Sequence, residues 1–144
     1  VQLVSSAIST IFKEKAVRDY FMNGNCLSVF IKTARTLFFL AIIPLLSILL
    51  FGPILFSSVF GSKWTDAGVF AQILAPMYFF SFIVSPLSYT YYIAEKQRED
   101  LVLHLLFLLS TLVVFYFGEG MSATNLMINY SILFSCLYSI YFIL

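Results

Sequence analysis

Four long runs of apolar residues, separated by short polar stretches, dominate the chain. They cover residues 37–60, 66–94, 101–118 and 121–144. Within them Asp66 is the only Asp, Glu, Lys or Arg, and His104 is the only histidine. Because the hydrocarbon core of a bilayer is about 30 Å thick, a spanning helix needs roughly 20 such residues. The pattern therefore predicts four transmembrane helices.

Helices fit these runs better than spanning β-strands do. A strand of a membrane barrel has about 9–11 residues of alternating polarity, whereas residues 101–109 (LVLHLLFLL) are apolar on nearly every side. A helix also satisfies its own backbone hydrogen bonds, which lipid cannot do. We predict an all-α fold, a polytopic transmembrane helical bundle that forms a single membrane domain over residues 1–144.

The stretch before the first run has a pattern of its own. Residues 1–12 are typical of the end of a further transmembrane helix, and a start at Val1 with an apolar run still open at Leu144 predicts a fragment of a longer protein. Residues 13–35 repeat apolar side chains at helical spacing on either side of Asn23-Gly24-Asn25. Either two short amphipathic helices lie there at the membrane surface, or the flanking transmembrane helices extend into this connection.

The basic residues predict which connections face the cytoplasm, because short cytoplasmic loops are enriched in Lys and Arg. Residues 13–35 hold five of them and residues 95–100 (EKQRED) hold two. The connection around Lys63 holds one, and the connection around Glu119 holds none. We therefore expect residues 13–35 and 95–100 to be cytoplasmic loops of a multi-pass inner-membrane protein.

Composition excludes several classes of function. The chain is 61% hydrophobic and 10% charged, whereas a soluble domain has about 25% charged residues. A net charge of +1 provides no field for a nucleic acid, so we expect none as a partner. Cys26 and Cys136 lie too far apart to indicate a disulfide framework or a metal site. No nucleotide-binding or nucleophile motif occurs, which predicts no enzyme, no cofactor and no metal.

Prolines and polar residues inside the runs are the candidates for a transport path. The prolines are Pro44, Pro53, Pro76 and Pro86. Each removes a backbone donor and frees the carbonyl four residues earlier. Broken helices often line a cavity in transporters, although a structural kink explains the same residues. The candidate contacts along a substrate path are Gln72, Ser85, Ser88 and His104. We interpret His104 as a hydrogen-bonding partner in preference to a proton relay.

Residues 60–68 (FGSKWTDAG) predict a tight external turn. Gly61 can end one helix, and Thr65 can cap the next. Asp66 favours the positive N-terminus of that helix, and Trp64 suits the level of the lipid headgroups. The structural residues of the turn are Gly61, Trp64 and Gly68.

Several of these residues together carry a family resemblance. They are Phe51-Gly52, Phe60-Gly61, Trp64, Ala67-Gly68, Leu74-Ala75-Pro76 and Ser85-Pro86-Leu87-Ser88, followed by a short basic loop. In this arrangement the chain resembles the polysaccharide and O-antigen flippases (Wzx type) of the MATE-like exporter superfamily. Residues 12–16 (FKEKA) and Asn23-Gly24-Asn25 are similar to the cytoplasmic loop between helices eight and nine of that family.

The resemblance implies the C-terminal part of a twelve-helix transporter, with the end of helix eight and helices nine to twelve. It further implies flipping of polyprenyl-pyrophosphate-linked oligosaccharide repeat units across the bacterial inner membrane, for O-antigen, capsule or exopolysaccharide. The partners implied are the lipid bilayer, the lipid-linked oligosaccharide, and the polymerase and other membrane proteins of polysaccharide assembly.

An ion-coupled multidrug exporter of the same fold is the alternative. Such an exporter usually carries a carboxylate within the membrane, and the interiors of the four runs lack one. A membrane subunit of a polymerase or glycosyltransferase would need a large loop, but the two predicted external connections are short.

Overall fold

Helices build the described part of the chain. The computed structural model describes the backbone of residues 2–143 and the side chains of residues 6–143. Its helices are α1 (Gln2–Asn23), α2 (Leu27–Phe60), α3 (Thr65–Leu87), α4 (Thr90–Ile93), α5 (Gln97–Phe117) and α6 (Ala123–Ile143), with a 3₁₀ turn at Ser62–Trp64. No β-strand occurs in this range, so the predicted all-α class is confirmed.

Four helical segments are long and apolar enough to cross a membrane. They are Leu27–Phe60, Ser62–Ile93, Gln97–Phe117 and Ala123–Ile143. At most 28% of the most apolar window in each is buried inside the protein, so the outward faces are apolar and suit lipid as solvent. The predicted multi-pass membrane protein is confirmed at this level. The predicted boundaries at Val1 and Leu144 lie outside the described residues.

Residues 13–35 do not form a loop with two separate helices. Helix α1 continues without a break to Asn23, and α2 already begins at Leu27. The flanking helices extend into the connection, which is the second of the two alternatives that the sequence leaves open. The break between them contains Gly24, whose φ of 73° is a conformation that glycine adopts without steric cost.

The second span is interrupted near its end. The sequence predicts one helix over residues 66–94, but the structure has a turn at Ser88 and Tyr89 between α3 and α4. The hydroxyl groups of Ser88 and Thr90 donate to backbone carbonyls three residues earlier, at 2.9 and 2.7 Å. Such bonds bend helices, and Pro86 lacks the N–H that would continue the regular pattern. The predicted span is thus present as Ser62–Ile93, with an interruption beside Pro86, one of the residues predicted as kinks.

The other prolines lie within uninterrupted helices. Helix α2 continues through Pro44 and Pro53, and α3 continues through Pro76. Since each proline leaves a carbonyl without its usual donor, these helices depend on other groups at those positions. Of the residues predicted as kinks, only Pro86 lies beside an interruption.

Helix α3 occupies the centre of the bundle and contacts α1, α2 and α6. One core cluster joins α1, α2 and α3 through Phe12, Ala16, Cys26, Leu37, Ala41, Phe82, Ile83 and Leu87. A second joins α3, α4, α5 and α6 through Val84, Tyr91, Leu103 and Tyr141. Helix α5 lies at the periphery and packs against α6 through aromatic rings, such as Phe107 on Tyr138 at 4.7 Å between centroids.

Several helix ends meet at one end of the bundle. Phe30 near the start of α2 lies 5.7 Å from Phe142 near the end of α6, measured between ring centroids. The Lys13 ammonium lies 4.4 Å from the centre of the Tyr89 ring, just after α3. Residues 95–100 follow α4 directly at this end. The segments predicted to be cytoplasmic are thus close together in space.

Candidate functional site

Two glycines bring the backbones of α2 and α3 into contact. A Cβ atom at Gly68 would lie 2.5 Å from the Cα of Pro53 and 2.6 Å from the Gly52 carbonyl oxygen. A Cβ atom at Gly52 would lie 2.8 Å from the Gly68 carbonyl oxygen. Small residues allow such close helix approach in membranes. Gly68, predicted as a turn residue, is therefore a packing residue of the helix crossing.

Gln72 completes this crossing with a hydrogen bond. Its side-chain Nε2 donates to the Leu49 carbonyl oxygen at 2.8 Å. That carbonyl is the one four residues before Pro53, which has no N–H to donate. The amide of α3 therefore satisfies the acceptor that the proline of α2 frees. This gives Gln72, predicted as a contact on the substrate path, a structural role between two helices.

The external turn differs in one detail from its prediction. Helix α2 ends at Phe60, and Gly61 follows it with a φ of 95°. The Trp64 ring lies 5.8 Å from the Phe60 ring, and about half of the surface of Trp64 is exposed. Thr65 does not cap α3: it is the first helical residue, and its hydroxyl donates to the Ser62 carbonyl at 2.8 Å. The 3₁₀ turn occupies the capping position instead.

A buried carboxylate lies at the opposite end of the bundle. Asp100 is only 7% exposed, because α5 begins at Gln97 and includes Asp100 in its first turn, whereas the sequence predicts a start at residue 101. The Tyr141 hydroxyl of α6 donates to Asp100 Oδ1. The position near a helix N-terminus favours a carboxylate, and its burial requires such partners.

Tyr141 also bonds to the interrupted span. The Tyr91 hydroxyl of α4 reaches the Tyr141 carbonyl oxygen at 3.4 Å, and the two rings lie 5.3 Å apart. Tyr141 of α6 therefore links α4 and α5 in a buried polar cluster of Tyr91, Asp100 and Tyr141.

His104 lies against this cluster from the outside. Its Nδ1 is 2.8 Å from the Asp100 carbonyl oxygen and 3.5 Å from Asp100 Oδ1, while 61% of the side chain is exposed. A carbonyl oxygen can only accept a hydrogen bond, so Nδ1 carries the hydrogen and donates it. The ring also meets the Tyr141 ring edge to face, at 5.9 Å.

A cleft of about 380 Å³ lies beside the polar cluster, and we call it the α3–α6 cleft. Its lining comprises Cys26, Leu27, Phe30, Val84, Leu87, Ser88, Thr90, Tyr91, Ala94, Lys96, Tyr141, Phe142 and Ile143. The floor is buried, whereas Leu27, Lys96 and Ile143 are exposed at the rim. Burial raises the pKa of the Cys26 thiol above its ordinary value, its backbone hydrogen bond lowers it, and the Asp19 carboxylate adds to the rise.

The predicted path residues do not form one continuous path. Ser88 lines the cleft, and His104 contacts Asp100 beside it. Gln72 lies about four helical turns away along α3, at the contact with Leu49. Ser85 is exposed, and its carbonyl oxygen accepts the Ser88 hydroxyl. The structure thus brings two of the four candidates to the same region.

The chain matches no family model, no curated protein and no solved structure. What the four apolar helices indicate is a multi-pass helical membrane protein. Within residues 2–143 no group of His, Cys, Asp and Glu side chains is arranged to hold a metal ion.

Asp100, Tyr91 and Tyr141 were not recognised as site residues from the sequence. Asp100 belongs to the charged run EKQRED, which predicts a solvated loop. The one available signal is its spacing from His104, since residues four apart share a helix face. Nothing in the sequence pairs Asp100 with Tyr141, which lies 41 positions later.

Proposed function

We propose that this chain is part of a bacterial inner-membrane transporter that flips polyprenyl-pyrophosphate-linked oligosaccharides during surface polysaccharide synthesis. In the twelve-helix arrangement that the resemblance implies, α1 ends helix eight and the four spans are helices nine to twelve. The supporting observation is that Gly52 and Gly68, two residues of the resemblance, meet at a single helix crossing.

The proposed mechanism is alternating access without covalent chemistry. Helices that rock as units need firm contacts within each unit and interruptions where they bend. The α2–α3 crossing would be a firm contact within one unit, and the turn at Ser88 and Tyr89 would be a point of bending. The sugar headgroup would pass through a polar cavity between the halves of the full transporter while its lipid tail stays in the bilayer.

Deletion of the full-length protein tests the proposal. Lipid-linked repeat units should accumulate on the cytoplasmic leaflet, and surface polysaccharide should be lost, with both restored by the wild-type protein. Leaflet location can be measured by access of an impermeant glycosidase or lectin to intact spheroplasts. Unchanged surface glycan in a clean deletion strain would refute the function.

Asp100 favours a second candidate, an ion-coupled exporter of cationic compounds. The sequence places Asp100 in the charged run just before a span, and in the structure this carboxylate lies in the first turn of α5 and is buried. Intramembrane carboxylates often serve ion or proton pathways. This function predicts lower resistance to lipophilic cations in the deletion strain with surface glycan unchanged, and Asp100→Asn should reproduce that phenotype. Resistance equal to the parent strain would exclude it.

A further inference from the structure

The polar wall of the α3–α6 cleft presents acceptors more than donors. The hydroxyl hydrogens of Ser88 and Thr90 go to backbone carbonyls. That of Tyr91 goes to the Tyr141 carbonyl, and that of Tyr141 goes to Asp100. A hydroxyl has one hydrogen but two lone pairs. Lone pairs are therefore what these groups can still offer a ligand.

Charge and aromatic rings add a preference for a cation at the floor. The Asp100 carboxylate accepts the Tyr141 hydroxyl and so adds negative charge behind the ring of Tyr141, although Asp100 does not itself line the cleft. The rings of Tyr91 and Tyr141 line the cleft, and the faces of aromatic rings attract ammonium groups. An ammonium with N–H donors matches both the acceptors and the rings.

The rim has a different chemistry. Lys96 lines the opening and is exposed, and it is the only basic residue of the lining. Leu27 and Ile143 also belong to the lining and are 62% and 82% exposed, although both are apolar. A matching ligand therefore places an anion near Lys96 and an apolar portion over the exposed rim, which in a membrane protein faces lipid.

We propose that the α3–α6 cleft binds the headgroup of a phospholipid that carries a primary ammonium as well as a phosphate. The ammonium lies over Tyr91 and Tyr141 and donates to the oxygens of Ser88 and Thr90. The phosphate pairs with Lys96, and the acyl chains leave past Leu27 and Ile143. A volume of about 380 Å³ is within the usual size of small-ligand sites. The inference is independent of the proposed function.

Native mass spectrometry of the purified full chain tests the headgroup preference. The probes are phosphatidylethanolamine, phosphatidylcholine and phosphatidylglycerol with identical oleoyl chains. Phosphatidylcholine has no N–H donor, and phosphatidylglycerol has no ammonium. We expect phosphatidylethanolamine to be retained about tenfold more strongly than either, since a hydrogen bond from a charged group is lost in both. Equal retention, or preference for phosphatidylglycerol, would overturn the proposal.

Paired variants locate the site. The double variant Ser88→Ala with Thr90→Val removes two acceptor oxygens, so retention of phosphatidylethanolamine should fall to the level of phosphatidylcholine. The double variant Ser135→Ala with Thr36→Val removes two hydroxyls that also bond to backbone carbonyls but lie outside the cleft, so the preference should remain. Lys96→Gln should weaken retention of phosphatidylethanolamine and of phosphatidylcholine equally. An intact preference in the first double variant contradicts the assigned site.

A native thiol provides a readout without any change in the cleft. Cys26 lines the cleft and is buried, whereas Cys136 is exposed elsewhere on α6. In the Cys136→Ser protein, N-ethylmaleimide should alkylate Cys26 several-fold more slowly in phosphatidylethanolamine nanodiscs than in phosphatidylcholine nanodiscs. The same rate in both would overturn the proposal, whether or not the double variants fold.

Discussion

Tyr141 makes hydrogen bonds to two other helices, one through its hydroxyl and one through its carbonyl. Its hydroxyl donates to Asp100 of α5, and its carbonyl accepts from Tyr91 of α4. In a low-dielectric interior, a buried carboxylate without a donor is costly. The stability of this end of the bundle therefore depends on a residue whose neighbours in sequence are all uncharged.

Replacing Tyr141 by Phe should destabilise the protein by about 1–3 kcal/mol, because the buried Asp100 carboxylate loses its donor. Thermal unfolding of the purified protein in detergent measures the change. Adding Asp100→Asn should recover part of the loss, since a neutral amide costs less to bury. Tyr138→Phe is the matched control, because Tyr138 lies on the same helix as Tyr141 and packs its ring on Phe107 of α5. A Tyr141→Phe protein as stable as this control would contradict the assignment.

Gln72 and Pro53 form a second pair of residues on different helices, and the role of Gln72 depends on the proline. The proline frees the Leu49 carbonyl in α2, and the amide of Gln72 in α3 donates to it at 2.8 Å. A polar residue in a membrane helix is by default a candidate for function. Here the contact explains Gln72 instead as the hydrogen-bond donor to a backbone carbonyl.

Gln72→Leu should cost about 1 kcal/mol, the usual scale of hydrogen bonds between membrane helices. The loss should shrink in a Pro53→Ala background, because residue 53 then supplies an N–H to Leu49. A double-mutant cycle of thermal stabilities measures this coupling. Additive effects of the two substitutions would show that Gln72 does not serve the freed carbonyl.

At the scale of elements, the α2–α3 crossing is set by two glycines. Apolar run lengths predict both helices, but they do not indicate how closely the helices approach. Gly52 and Gly68 remove the Cβ atoms that would separate the backbones, and this lets the Gln72 amide reach across. Close packing and the hydrogen bond therefore depend on each other.

Gly68→Ala should destabilise the crossing by about 1–3 kcal/mol, the usual cost of overpacking, because the added Cβ would lie 2.5 Å from the Pro53 Cα. Val69→Ile adds a methyl group to the next residue of the same helix, which is exposed, and should have little effect. Unfolding in detergent compares the two variants. Equal stability would mean that the helices separate without cost.

For the whole molecule, the helices place the segments 13–35 and 95–100 near one end of the bundle. The external turn around Trp64 and the turn after α5 belong to the other end, since successive spans alternate in direction. The basic residues concentrate at the first end, and cytoplasmic loops are enriched in such residues. The fold and the charge pattern therefore agree on which segments share a side.

Cysteine labelling checks this orientation. In a protein with both native cysteines replaced by serine, single cysteines at the exposed positions Lys63 and Glu119 should react with an impermeant maleimide in intact cells. Cysteines at the exposed positions Lys15 and Gln97 should react only after permeabilisation, because the positively charged side stays in the cytoplasm. The opposite pattern would reverse the predicted topology.

The sequence by itself determined the features that follow from local composition. Run length specifies four spanning helices because each must cover the bilayer core, and Gly61 ends α2 at the predicted turn. Run length did not give the helix ends: α5 begins at Gln97 and not at residue 101, because acidic residues in the first turn suit a helix N-terminus.

Only the tertiary structure decided the pairings between distant residues. Three pairs each join different helices: Asp100 with Tyr141, Gln72 with Leu49, and Gly52 with Gly68. Helices that are apolar on nearly every side carry no periodic signal for the face that meets a neighbour. In lipid these faces are chosen by close packing and by satisfying buried polar groups, and both depend on atoms that are brought together only when the bundle forms.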